Sequence, residues 1–197
     1  MKIDYIIPTL YRDTLDRAVA SIKQEATDHN ILICGEIKDG RGVGNRNDGL
    51  NKIRIDSDWI IFLDDDDYLN KGFSKQLDNH FDIVVLRMSQ DASNPFYPPK
   101  VIPRTEDSRL YSGNVGCNFA IKTSLYLKHK WMFDVSAKNP DWNFLEKALA
   151  QTTKTKVTNE IYYVAPMGGY NKIKVTKDIY YVAPMGGYYK STVTGKR

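Results

Sequence analysis

Apolar residues along this chain fall into short unbroken runs, separated by segments whose apolar positions recur at helical spacing. Lys2 to Ile7 reads as a first strand ended by Pro8-Thr9. Asp13 is a suitable N-cap with Asp16 three residues on, and Leu15, Ala18, Val19 and Ile22 then line one helical face. Asn30 to Cys34 is a second strand, followed by a polar loop from Gly35 to Gly44. Asn45 to Arg54 reads as a helix with Leu50 and Ile53 inward, leading into the apolar run Trp59 to Leu63. Phe73 and Leu77 mark a short helix, and Asp82 to Met88 another buried strand. Strands and helices alternating at this interval predict an α/β domain with a mainly parallel central sheet and helices on both faces.

Beyond Ser89 the character changes. Asn94, Pro95, Pro98, Pro99 and Pro103 make the stretch to Arg109 an extended loop or a change of direction. Cys117 to Ile121 suits a strand, and Thr123 caps a helix through His129. Pro140 suits a helix start, with Trp142, Leu145 and Leu149 buried along Asp141 to Ala150. The tail carries an internal repeat: the stretch from Lys156 to Tyr170 recurs with few changes from Lys174 to Tyr188. Each copy reads as a β-branched and aromatic strand closed by a Gly-Gly turn, so a C-terminal β-hairpin extension is expected. Two copies are too few for a solenoid, and a tandem duplication accounts for them.

The strongest chemical signal lies directly after the run Trp59 to Leu63. Four carboxylates, Asp64 to Asp67, stand at the mouth of a strand that reads as buried on both faces. Like charges there repel one another and resist desolvation, and a hard divalent cation such as Mg²⁺ or Mn²⁺ would offset both effects. Ligands of open α/β sheets sit at the carboxyl ends of strands, where this cluster falls. An acidic surface loop would give the same four letters. A calcium loop of the EF-hand type does not fit, because the sixth position from Asp64 is Leu69 and the twelfth is Lys75.

Composition narrows the field. At 197 residues, 42% apolar and 26% charged, the chain suits one globular domain. A net charge of +4 with no basic arm does not indicate a nucleic-acid partner. The charged, strand-like N-terminus is unlike a signal peptide, and no apolar run approaches the roughly 20 residues needed to span a bilayer. Cys34 and Cys117 lack metal-ligand spacing and suit reduced, buried thiols, so a cytoplasmic location is expected (the host cytoplasm for a viral protein).

Three ordered segments in the first half resemble the family-2 type of nucleotide-sugar glycosyltransferases with the GT-A fold. Ile6-Ile7-Pro8-Thr9-Leu10-Tyr11-Arg12 is similar to that family's opening strand, and Asn45-Arg46-Asn47-Asp48-Gly49-Leu50 to its Ala-Arg-Asn-x-Gly helix. Phe62-Leu63-Asp64-Asp65-Asp66-Asp67 is similar to its Phe-Leu-Asp-x-Asp-Asp. In the second half Pro140-Asp141-Trp142-Asn143-Phe144 resembles the segment carrying the catalytic base, with Pro140 in place of the leading acid. Ile161-Tyr162-Tyr163-Val164 resembles a late Tyr-Tyr strand. The chain also resembles glycosyltransferase domains of large chlorella-virus multidomain proteins, which implies assembly of a glycan on a capsid glycoprotein.

The resemblance implies an inverting, metal-dependent transfer of a hexose from a nucleotide sugar, with UDP the expected nucleotide, to a glycan or glycoprotein hydroxyl. It places Asp66 on the metal (Mn²⁺ or Mg²⁺) and Asp64 and Asp65 near the ribose or behind the metal ligands. Thr9 and Tyr11 align with positions at the base, Arg12 belongs to the same nucleotide-sugar segment, and Arg46 falls near the base or diphosphate. The usual acid after the second strand is absent, so Glu36 or Asp39 takes its place. Asp141 is the candidate base, although an acid at a helix start is common for structural reasons. One domain is expected over 1–197, with a nucleotide-binding half at 1–90, an acceptor-binding half at 91–155 and the duplicated hairpin tail at 156–197. Two other functions fit an acidic strand end: a nucleotidyltransferase of similar build, and a nucleotide- or carbohydrate-binding module whose active site has decayed. The dinucleotide fingerprint is excluded because Gly42-Val43-Gly44 lacks the third glycine.

Overall fold

Period-two alternation in the apolar runs divides their side chains between two faces of one sheet. A computed structural model of the chain describes residues 1–35, 42–90, 100–105, 109–166, 179–183 and 187–191. It opens with β1 (Lys2–Pro8), α1 (Leu15–Lys23), β2 (Asp28–Cys34), α2 (Val43–Leu50) and β3 (Trp59–Phe62). A short β4 (Tyr68–Leu69), a 3₁₀ turn at Phe73–Gln76, β5 (Ile83–Gln90) and β6 (Lys100–Ile102) follow. Then come β7 (Phe119–Lys122), α3 (Thr123–His129), α4 (Pro140–Leu149) and β8 (Thr155–Ala165). A separate antiparallel pair, β9 (Ile179–Ala183) with β10 (Gly187–Ser191), ends the described chain.

The main sheet has the order β2-β1-β3-β7-β5-β8-β4, with β6 beside β5. β2, β1, β3, β5 and β8 run in one direction, while β7, inserted between β3 and β5, runs against them. The mixed α/β architecture expected from the sequence is therefore present, with an antiparallel strand at its centre. Ile3, Tyr5 and Ile7 of β1, Trp59 and Ile61 of β3, and Val84 and Leu86 of β5 face one layer, shared with Ala18 and Ile22 of α1. Ile6, Ile60, Phe62, Ile83 and Val85 face the other, against Val43 and Leu50 of α2, Tyr126 of α3, and Phe144 and Leu145 of α4. Among the described residues no helix is long and apolar enough to cross a membrane.

Several boundaries differ from the sequence reading. The N-cap of α1 is Thr14 rather than Asp13, and no side chain caps it. Thr123 is the first residue of α3 instead of its cap, and its hydroxyl pairs with that of Ser57 at 2.9 Å. α2 stops at Leu50, short of Arg54, because Arg54 serves another partner: its backbone N–H and Nε donate to the buried Asp4 at 2.5 and 2.8 Å. The chain from Ser89 to Arg109, read as a loop, contains β6. The first repeat copy is built into the main sheet, where Tyr163 pairs with both Met88 and Leu69, whereas the second contributes β9. Gly187, expected in a turn, already lies in β10.

Close packing of α2 on β1 depends on one residue. A Cβ on Gly49 would lie 2.4 Å from Ile6 Cγ2 and 3.0 Å from its Cγ1, and Ile6 is fully buried. Gly49→Ala is therefore expected to destabilise the fold by about 1–3 kcal/mol despite the better helix propensity of alanine. Denaturant titration of the two proteins measures it, and an unchanged midpoint would contradict the packing argument.

Candidate functional site

The upper end of the sheet is assembled by the chain leaving β1 and the chain leaving β3. Hydrogen bonding extends past β3, where the Leu63 N–H donates to the Ile6 carbonyl at 3.1 Å, so residues 64–67 emerge beside residues 8–12. The four carboxylates that follow take four different sets of partners.

Asp65 turns inward and is 2% exposed. Its Oδ2 accepts from the Thr9 hydroxyl at 2.7 Å and the Leu10 N–H at 3.1 Å, while Oδ1 accepts from Arg12 at 2.7 Å. Thr9 Oγ1 in turn accepts from the Tyr11 N–H at 2.7 Å. This network holds Tyr11 in the left-handed region at φ 57°, where a non-glycine residue is strained by about 1 kcal/mol or more. Tyr11 itself is 67% exposed, so its side chain stands at the surface.

Asp64, Asp66 and Asp67 face one another instead. One carboxylate oxygen from each lies within 4.8 Å of the others. Asp64 Oδ1 accepts from Arg46 Nη2 at 2.5 Å, and its backbone N–H donates to the Tyr163 hydroxyl at 3.3 Å. Asp66 lies 3.2 Å from Arg12 Nη1, and its carbonyl accepts from Arg17 at 2.5 Å. Asp67 hydrogen-bonds Tyr163. Burial first, and Asp64 next, push the Asp66 carboxyl up to about 6, with Arg12 pulling the other way. Burial and the charges of Asp66 and Asp64 raise Asp67 well above the usual carboxylate range. The negative charge is thus undercompensated, and three oxygen donors at this spacing suit a hard divalent cation.

Arg46 joins this cluster to the second half of the chain. It lies in α2, buried, with Nη1 3.9 Å from Asp141 Oδ1 as well as Nη2 on Asp64. Burial opposes its charge, but the neighbouring anions, Asp64 foremost, outweigh that and raise its pKa. Its guanidinium also lies 5.8 Å from the Phe133 ring centre. Asn47, one position on, donates to the Phe133 carbonyl at 2.9 Å and accepts from its N–H at 2.8 Å, which fixes the segment preceding α4. Asp141 sits in the first turn of α4, after Pro140, and accepts from the buried Cys117 thiol, which burial pushes up. Arg46 therefore links the metal-type cluster to the candidate base.

Most residues named from the sequence converge here: Thr9, Tyr11, Arg12, Arg46, Asp64, Asp65, Asp66 and Asp141. Glu36 and Asp39 lie outside the described residues. Arg17, Tyr163, Cys117 and Asp67's separate place in the cluster were not assigned roles. Only Tyr163 carried a signal, through the Tyr-Tyr resemblance, since a helix arginine or a lone cysteine has no readable spacing.

No protein-family profile matches the chain, and no curated protein matches it by sequence. Solved structures do match. Residues 1–349 of Staphylococcus aureus TarS superpose with a TM-score of 0.66 at 16% identity, covering 84% of this chain and 60% of that one. That protein has been solved with UDP and with UDP-GlcNAc. Drosophila β1,4-galactosyltransferase 7, as a mutant in complex with manganese, UDP-Gal and xylobiose, gives 0.53 at 16% identity over 81% of this chain and 66% of that one. A197 from STIV gives 0.52 at 16% identity over 100% and 97%. The chain spans about three fifths of the TarS fragment. What it shares with these proteins is a GT-A-like fold.

A carboxyl held above its unfolded value destabilises the fold as pH rises through the usual carboxylate range, and the effect is complete above the folded value. For Asp66 that window runs from about 4 to about 6. Asp66→Asn in metal-free buffer is thus expected to raise stability at pH 7.5 by about 1–3 kcal/mol, with no gain left near pH 4. Thermal melts in chelator at the two pH values measure this.

Proposed function

We propose that this chain is a metal-dependent, inverting glycosyltransferase. It moves a hexose from a nucleotide sugar, UDP-linked, to a hydroxyl of a glycan or glycoprotein. One observation carries the reading above the others: Arg46 bridges Asp64 of the acidic cluster and Asp141, so a donor-holding centre and a base face the same space. The likeness to structures solved with UDP, UDP-GlcNAc and UDP-Gal supports it at the level of fold.

The chemistry asks for two things from opposite sides of the anomeric carbon. The acceptor oxygen forms its bond to that carbon as the bond to the diphosphate oxygen breaks, and the hydroxyl proton must leave as it does so. Asp141, 30% exposed at the start of α4, takes that proton. Arg46, 3.9 Å away, and Cys117, which donates to the same carboxylate, orient Asp141. On the leaving side, Asp64, Asp66 and Asp67 would hold Mn²⁺ or Mg²⁺, which when bound stabilises the growing charge on the diphosphate as a Lewis acid. Thr9, Leu10 and Arg12 hold Asp65 and with it the edge of the nucleotide cleft.

Calorimetry of UDP with and without Mn²⁺, followed by product analysis with UDP-sugars, tests the reading. Asp66→Ala should abolish metal-dependent UDP binding. Asp141→Asn should leave that binding intact while transfer falls by about 10²–10⁴-fold. Release of pyrophosphate instead of UDP would make the protein a nucleotidyltransferase. UDP binding indifferent to both metal and Asp66 would remove the cluster from the mechanism.

A further inference from the structure

A cation already sits at the acidic cluster, and it belongs to the chain. Arg12 Nη1 lies 2.7 Å from Asp65 Oδ1 and 3.2 Å from Asp66 Oδ2, so one guanidinium ties a structural carboxylate to a member of the candidate metal set. Arg46 occupies Asp64 from the opposite side, and Arg17 holds the Asp66 carbonyl. A divalent ion approaching Asp66 therefore meets a positive group within a few ångströms, whose repulsion in a partly buried site is strong.

Arg12 is placed to leave and Arg46 is not. The Arg12 side chain is 24% exposed and stands on the loop between β1 and α1, whereas that of Arg46 is 6% exposed and seated in α2. When Arg12 withdraws, Asp65 keeps the Thr9 hydroxyl and the Leu10 N–H on Oδ2, so it is not left as an unpaired buried charge. Asp66 keeps its backbone anchor to Arg17. A cationic N–H donor is also suited to exchange a carboxylate for the oxygens of a phosphate group, since both accept charge-assisted hydrogen bonds.

We infer that Arg12 is an exchangeable internal cation. It neutralises Asp66 in the metal-free protein, opposes binding of the metal alone, and transfers to the diphosphate when metal and nucleotide bind together. Metal and nucleotide then assist one another, because the metal frees Arg12 for the diphosphate and the diphosphate draws Arg12 off Asp66, a coupling of about 5- to 150-fold. This rests on the metal-dependent reading proposed above and assigns that site an order of binding: the metal is held firmly only with its nucleotide.

The test measures Mn²⁺ affinity from the free-ion electron paramagnetic resonance signal, without nucleotide and with saturating UDP. Wild type, Arg12→Gln and Arg12→Lys are compared, with circular dichroism and melting in chelator as the check on folding. Arg12→Gln is expected to bind Mn²⁺ alone about tenfold more tightly and to lose most of the strengthening by UDP. It should melt below wild type in chelator and recover with Mn²⁺. Arg12→Lys, which keeps the charge, should stay close to wild type; a purely structural fork would make it resemble the glutamine variant. Mn²⁺ binding that is unchanged or weaker in Arg12→Gln overturns the inference and leaves the metal-dependent mechanism standing. Absence of Mn²⁺ binding in all three proteins, with or without UDP, overturns both.

Discussion

Adjacent carboxylates at the end of a buried strand repel one another, and the upper end of this sheet is arranged around separating them. The turn that follows β3 sends Asp65 inward, where backbone and hydroxyl donors of the β1 loop receive it. Asp64 and Asp66 are matched by arginines from α2 and from the loop before α1, and Asp67 by the Tyr163 hydroxyl of β8. Together the carboxylates recruit the loop after β1, the helix α2 and the strand β8.

That requirement is met only in part, which is how a binding site differs from a structural ion-pair network. Burial and mutual repulsion raise Asp66 and Asp67, so the cluster retains a capacity for positive charge that the arginines do not exhaust. The backbone shows a matching strain at Tyr11, held in the left-handed region by Asp65 and Thr9. Both features lower stability locally, and both lie at the ends of β1 and β3.

Arg46 extends this logic across the molecule. Without a carboxylate on each side, a buried guanidinium would carry a large desolvation penalty. Asp64 from the β3 end and Asp141 from α4 supply the two. The two halves of the chain meet across a charge network as well as across the apolar layer where Phe62 packs edge-on against Phe133 and Phe144. Asn47 adds two hydrogen bonds to the Phe133 backbone, so α2 positions the segment that delivers Asp141.

The sequence by itself determined the apolar strands, their division between two helix-covered faces, the acidic mouth of β3, and the candidate roles of Arg46 and Asp141. The first three follow from local periodicity and from residue types whose chemistry is costly to bury without purpose, and the roles of Arg46 and Asp141 from the resemblance of their segments to those of a known family. It could not determine partners. That Asp65 and Asp66 share Arg12 of the β1 loop, that β7 enters antiparallel between β3 and β5, and that Tyr163 reaches the cluster are long-range choices. The repeat shows the reason most directly. Ile-Tyr-Tyr-Val-Ala occurs as residues 161–165 and as 179–183, and both copies are strands, as β propensity requires. The first pairs with β5 and β4 inside the main sheet, and the second pairs with β10 in a sheet of its own. The same five residues form a strand in both places, but the partner of each is a long-range pairing, which only the tertiary structure holds.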